Sequence, residues 1–118
     1  MPHPSAYKSL ELFNLSKKLV VSCYDLTHNL PEEESANLTR YIRTAALTCH
    51  VNVAQGVFIK KWKNRDRFIE KAQNALVVID AALEVLLEVK LAAEDQCREV
   101  LELSSVVYQS LDILKKDK

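Results

Sequence analysis

Glycine and proline are nearly missing from this chain, which has one glycine and three prolines in 118 residues. Sheets and loop-rich folds draw on both residues for the backbone angles of their turns, so their scarcity excludes those folds and leaves long, uninterrupted helix. Pro2 and Pro4 sit at the N-terminus, and only Pro31 and Gly56 punctuate the rest. Net charge is also missing, because sixteen basic side chains balance sixteen acidic ones. A dedicated nucleic-acid binder is usually basic overall, so the global balance speaks against that role and leaves it to local clusters. No apolar run is long enough for a membrane span of ~20 residues; the longest, ALVVIDAALEVLL, carries Asp80 and Glu84. The start MPHPSAYKSLELFN lacks the basic-then-apolar order of a secretory signal. Three cysteines, Cys23, Cys49 and Cys97, form no paired spacing, which points to reduced thiols. The expectation is a cytoplasmic protein with no membrane partner.

Reaction chemistry is equally sparse. The histidines are His3, His28 and His50, and none stands three residues after a glutamate, as the di-metal centres of helix bundles require. One glycine cannot build a phosphate-cradling loop. Cys49 and His50 are neighbours in sequence, but adjacent helical residues point about 100° apart, so the reading is a buried cysteine beside a surface histidine. Asp80 and Glu84 belong to a solvated helix strip. No catalytic, cofactor or metal residue is expected, and the chain is read as no enzyme.

What is present is helical periodicity. Apolar residues make up 48% of the sequence and charged residues 27%, a globular balance in a length suited to one domain over residues 1–118. Ser5 reads as the cap of a first helix, about 6–29, with Leu12, Leu15, Leu19, Cys23, Leu26 and Leu30 on one face. Pro31 suits the first position of a second helix, 32–56, and Glu32, Glu33 and Glu34 suit the positive end of its dipole. That helix aligns Leu38, Ile42, Ala45, Cys49 and Val53, and Gly56 with the polar stretch after it allows a break. A third helix, 66–91, buries Phe68, Ala72, Ala75, Leu76, Ile79, Leu83 and Leu86. It leaves a polar strip of Gln73, Asp80, Glu84 and Glu88. The pattern loses phase around Leu91 to Asp95, where a turn is placed although no glycine or proline marks it. A fourth helix, 95–115, aligns Cys97, Leu101, Ser104, Tyr108 and Leu111. Short connections make such helices antiparallel neighbours, so the fold class is all-α, an antiparallel up-and-down four-helix bundle.

Two features exceed what a bundle needs. The second helix carries another apolar stripe, Leu47, Val51, Ala54 and Phe58, about 180° from the first. The third widens its apolar arc with Val78, Val85 and Val89. Apolar side chains repeated on an outer face mark an interface, and a homo-oligomer through Leu47, Val51, Ala54, Phe58, Val78 and Val85 is expected, symmetric and closed. The other feature is a basic segment holding Lys60, Lys61, Lys63, Arg65, Arg67 and Lys71 around Trp62, with only Asp66 and Glu70 against them. Cations neutralise phosphates and an aromatic ring can stack on an unpaired base. Arg40 and Arg43 extend this patch if the second helix brings them near. In the plainer reading these residues solvate a helix corner and Trp62 packs on the bundle. Asn52 lies at the edge of the core stripe and is expected to fix register or bond a neighbouring helix end.

The segment Ile42 to Gly56, IRTAALTCHVNVAQG, resembles the signature of the four-helix bundle proteins named after the 23S rRNA intervening sequence. Ile42, Arg43, Ala45, Ala46, Asn52, Ala54 and Gly56 match it, with Thr48 and Val53 as close substitutes. Thr44, His50, Val51 and Gln55 depart from it. The Tyr7-to-Phe13 stretch, Leu30-Pro31 with its acidic follow-on, Phe68 and Ala72 also fit, whereas Asn74, Ala75 and Val78 do not. The resemblance implies a four-helix bundle that assembles as a ring-shaped homopentamer, without a defined biochemical activity. Bundles that look similar serve as accessory subunits of diversity-generating reverse transcriptases and bind nucleic acid. The expected partners are therefore further copies of this chain and RNA or DNA, held by Arg40, Arg43, Lys60, Lys61, Trp62, Lys63, Arg65 and Arg67. A protein-interaction scaffold that binds no nucleic acid is the alternative, and a small-ligand bundle using the interior around Asn52 and Cys49 is a third reading.

Overall fold

The computed structural model describes the backbone of residues 4–58 and 62–116 and the side chains of 8–58 and 64–116. The helices are α1, Pro4–His28, α2, Leu38–Phe58, α3, Trp62–Glu88, and α4, Glu94–Lys116, with a 3-10 turn at Glu32–Glu34 between the first two. Each helix packs on its neighbours in chain order and α4 closes on α1, giving a bundle of 48 × 22 × 18 Å. This is the expected all-α, up-and-down four-helix architecture. Side-chain contacts set the register of each antiparallel pair. Ser16 Oγ lies 2.7 Å from His50 Nδ1 across α1 and α2, and the Gly56 backbone sits against Phe68 and Ile69 of α3. Asp80 of α3 accepts a 3.0 Å bond from Ser104 of α4.

The buried face of α1 carries the expected Leu12, Leu19 and Cys23, with Leu15 and Leu26 packed at their edges, and Leu30, which lies beyond the helix end, packs on the same core. α2 buries mostly small side chains, Ala45, Ala46, Cys49, Val53 and Gly56, with Ile42 as the large exception. Small residues let helix axes approach closely, and this is how α2 fits between α1 and α3. On α3, Ala72, Ala75, Leu76, Ile79, Leu83 and Leu86 are buried as expected, but Phe68 is only half-buried, and Ile69 takes its place in the core. Gln73 is not part of a solvated strip, because it is buried and its Nε2 donates to the Tyr108 carbonyl at 3.3 Å. On α4 the buried arc runs through Cys97, Val100, Leu103, Ser104, Val107 and Leu111. Leu101 and Tyr108, expected in the core, stand exposed on its shoulder.

The helix ends differ from the sequence reading for identifiable reasons. α1 begins at Pro4, so Ser5 lies within the helix and does not precede it. Pro31 caps the 3-10 turn and not α2, which starts six residues later than read, so the three glutamates lie outside the α2 dipole. Gly56 does not break α2; it is buried inside the last turns, where an added Cβ would meet Phe68 Cβ at 3.5 Å, an ordinary contact. α3 begins at Trp62, four residues earlier than read, and absorbs most of the polar stretch. It ends at Glu88 in a Schellman turn, with the Leu91 N–H donating to the Leu86 carbonyl at 3.0 Å and the Lys90 N–H to that of Leu87 at 3.2 Å. Lys90 adopts the left-handed conformation this turn demands, at φ 60°. Gln96 then accepts from the Ala93 N–H at 2.7 Å, reaching back over the start of α4 as a capping-box side chain does.

All three cysteines are buried free thiols. Burial pushes the Cys23 and Cys49 thiols up to about 12 and raises that of Cys97 as well.

A lysine at φ 60° is strained by contact of its Cβ with the backbone, which glycine avoids. Lys90→Gly is expected to raise unfolding free energy by about 0.5–1 kcal/mol, read as a higher urea midpoint at unchanged m-value. A midpoint that fell would show that the lysine side chain stabilises the turn by more than its backbone strain costs.

Candidate nucleic-acid interface and self-association face

The up-and-down topology decides which of the candidate cations meet. Arg40 and Arg43 lie near the start of α2, and the basic segment follows its end, about 27 Å away along the axis for Arg40 at ~1.5 Å per residue. They do not form one patch. Arg43 is moreover committed to α1: its Nε donates to Thr27 Oγ1 at 2.8 Å, its Nη2 lies 3.5 Å from the Tyr24 carbonyl, and the guanidinium sits 4.4 Å from the Tyr24 ring centroid. Thr27 Oγ1 in turn donates to the Cys23 carbonyl at 2.7 Å, so the arginine staples the α1–α2 seam.

The described remainder of the candidate set lies toward one end of the bundle. Lys60 and Lys61 lie outside the described residues, and Trp62 and Lys63 open α3, with side chains that also fall outside them. Arg65 donates from Nη2 to the Leu114 carbonyl at 2.8 Å, occupying a terminal carbonyl of α4. Arg67 is exposed. Three further cations arrive from helices remote in sequence. Lys8 stands at the start of α1, and Lys115 and Lys116 end α4, paired with Glu70 at 3.1 Å and with Asp112 at 3.3 Å. Lys71 is exposed, with its ammonium 5.7 Å from the Phe68 ring centroid. Helix polarity was the available signal for them: in an up-and-down bundle the start of α1, the α2–α3 corner and the end of α4 share one end. The opposite end carries Glu32, Glu33, Glu34, Glu88, Glu94 and Asp95 against Arg40, Arg43, Lys90 and Arg98, so acidic side chains outnumber basic ones there among the described residues.

The second candidate surface is lateral. Leu47, Val51 and Phe58 are 42%, 51% and 66% exposed, and Val78 and Val85 of α3 are 42% and 48% exposed. Ala54 is half-buried among them. Tyr41, Thr44, Thr48 and Asn52 line a shallow groove between α2 and α3, closed on the far side by Asn74 and Val78. Asn52 neither bonds a neighbouring helix nor sets register across it; its Nδ2 donates to the Thr48 carbonyl of its own helix at 2.8 Å.

His50 corrects the sequence reading, since it is half-buried and not a surface residue. Ser16 Oγ reaches the Phe13 carbonyl at 3.0 Å and His50 Nδ1 at 2.7 Å, and the Phe13 and His50 ring centroids are 4.8 Å apart. Desolvation, and then nearby Lys17, hold the imidazole below its ordinary range. The pair offers no activated nucleophile, because Ser16 is sealed from solvent. Cys49 lies in the buried core, and Asn52 lines the shallow groove between α2 and α3. Among the described residues no cluster of histidine, cysteine, aspartate or glutamate is arranged to hold a metal, and no helix is long and apolar enough to cross a membrane.

The fold and its surfaces define a four-helix bundle with cations gathered toward one end and apolar side chains exposed along its helices, among them the outer stripe of α2. Residues 8–112 match the model of the 23S rRNA-intervening sequence protein family, and the chain belongs to that family. No curated protein matches it.

A histidine whose folded pKa is lowered resists protonation in the native state. Stability it confers is complete above the unfolded value near 6.5 and is lost as pH falls toward the folded value. The unfolding free energy is expected to decline as pH falls below the unfolded value near 6.5, with a shallower decline in His50→Gln. Equal slopes in the two proteins would place the acid sensitivity elsewhere.

Proposed function

We propose that this chain acts without catalysis, as a self-associating bundle whose basic end holds the phosphate backbone of RNA or DNA. The observation that carries the reading is the inversion on α2, which packs small side chains inward and turns Leu47, Val51 and Phe58 outward. A lone bundle gains nothing from that arrangement, whereas a partner that covers the face recovers about 25 cal/mol for each Å² of apolar surface removed from water. Further copies of the same chain are the partners in this reading, assembled laterally into a closed homo-oligomer, a pentamer as the family resemblance implies, in the reducing cytoplasm.

Lateral assembly aligns the bundle axes, so the basic ends fall on one side of the assembly and their charge is multiplied by the number of subunits. Arg43 and Arg65 are engaged within the bundle, so phosphate contact falls to Lys60, Lys61, Lys63, Arg67 and Lys71, with Trp62 to stack on a base. Such contact ignores sequence and releases counterions. Arg40 lies at the far end and takes no part in it.

Two variants separate the parts of this reading. Val51→Glu places a charge in the lateral face and is expected to lower the solution mass by light scattering while leaving helix content unchanged. Arg67→Glu combined with Lys71→Glu is expected to keep the wild-type mass. That pair should weaken binding to a uridine homopolymer at least tenfold and flatten the slope of log affinity against log salt by about 0.7 for each phosphate no longer neutralised. Wild-type binding that is unchanged between roughly 50 and 200 mM salt would overturn the nucleic-acid role and leave a protein-interaction scaffold.

A further inference from the structure

We propose that the groove between α2 and α3 takes an unpaired base of the strand whose phosphates Arg67 and Lys71 hold; this deepens the nucleic-acid reading above and rests on it. The groove is built on small side chains. Ala45 and Ala75, each 6% exposed, form its floor where the two helices approach, and Thr44, Thr48, Asn74 and Val78, all exposed, rise on either side. Its volume of about 420 Å³ falls within the ~300–1,000 Å³ of small-ligand clefts. Methyl groups of alanine, threonine and valine dominate the lining, a surface on which a flat ring can lie.

Asn52 gives that floor a chemical preference. The residue is 9% exposed, and its Nδ2 is engaged by the Thr48 carbonyl at 2.8 Å. Its Oδ1 receives no hydrogen bond from the described residues and keeps an opening to the groove. An amide oxygen so deeply set among apolar groups is an acceptor that calls for a donor. A nucleobase edge supplies an N–H for it, and does so from a planar ring that suits the methyl-lined walls. A phosphate or carboxylate has no such donor, and an aliphatic chain leaves the oxygen unbonded.

Lys71 ties the groove to the basic end. It lines the groove and stands one turn beyond exposed Arg67 on the same face of α3, ~6 Å along the axis. No carboxylate stands among the described lining residues, so Lys71 is the one charge there. A backbone that follows Arg67 and Lys71 away from the basic end arrives at the groove with a base beside Asn52. A duplex cannot make this contact, because its bases are stacked and paired, so the site requires a single strand or an extruded base. The groove is a different face from the outer stripe of α2. Thr48 and Asn52 each follow a stripe residue, Leu47 and Val51, by one position and so point about 100° away from it; the two surfaces meet at Val78.

The test is fluorescence anisotropy on the full chain with two labelled probes, a short uridine oligonucleotide and an abasic sugar–phosphate strand of equal length. Two variants address the groove. Asn52→Leu removes the acceptor, and Thr48→Trp fills the groove from an exposed position, so it leaves the core undisturbed. Each is expected to weaken binding of the uridine strand about tenfold, with the loss confined to the strand that bears bases. The slope of log affinity against log salt should stay that of the wild type, because the phosphate contacts remain. Thr48→Trp that binds the uridine strand as the wild type does would overturn the groove site, and the basic end would stand if Arg67→Glu with Lys71→Glu still abolished binding. Equal losses on the two probes would also overturn it, since the groove would then act on the backbone and not on a base. A wild type that binds neither probe would overturn the nucleic-acid reading and this proposal together.

Discussion

The close approach of α2 to its two neighbours is the constraint on which the rest of the structure depends. Ala45, Ala46, Cys49, Val53 and Gly56 supply little bulk, so α2 is drawn in between α1 and α3, and Gly56 comes into contact with Phe68 and Ile69. Rotating α2 to bury Leu47, Val51 and Phe58 instead would gain apolar burial but force the helices apart. That would open voids around Leu19, Ile42, Leu76 and Ile79, and a void of this kind costs about 2–5 kcal/mol per large side chain. Packing of the interior thus decides the outward face of α2, and the flank stays apolar because the core must stay tight.

Polar contacts secure the same arrangement from outside the core. Arg43 links α2 to α1 through Thr27, Arg65 links α3 to the end of α4, and Gln73 and Asp80 each tie α3 to α4. Each spans two helices, so each fixes register as well as distance. Two of these groups were candidates for binding phosphate. Their structural engagement narrows the basic surface to one end and gives it a direction.

Most of the architecture was legible in the chain, because long amphipathic helices with few glycines and prolines allow little else. Core positions on α1 and along most of α3 follow helical spacing directly. The errors cluster where local chemistry departs from its usual markers. α3 ends on a lysine in a glycine conformation, a turn signalled only by a change of phase. Pro31 begins a 3-10 turn in place of a helix, since Glu32–Glu34 close i→i+3 bonds before α2 starts. On α4 the buried side chains after Cys97 and Ser104 are Val100 and Val107, three residues on, whereas the reading took Leu101 and Tyr108, four residues on. The step of about 100° per residue carries that second pair past the edge of the core. Of the candidate surfaces, the outer stripe was readable from one helix alone. The basic end was only half readable, since Lys8, Lys115 and Lys116 join it through topology.

Burial of the three thiols has a consequence of its own. A thiol reacts as its thiolate, and Cys23 and Cys49, pushed up to about 12, are almost wholly protonated at neutral pH as well as shielded from reagents. They belong to helices on both sides of the α1–α2 seam, while Cys97 sits at the start of α4. Alkylation of each therefore has to wait for its own part of the bundle to open. The chain carries three internal clocks, one in α1, one in α2 and one in α4, whose relative rates distinguish fraying at one end from dissolution of the whole.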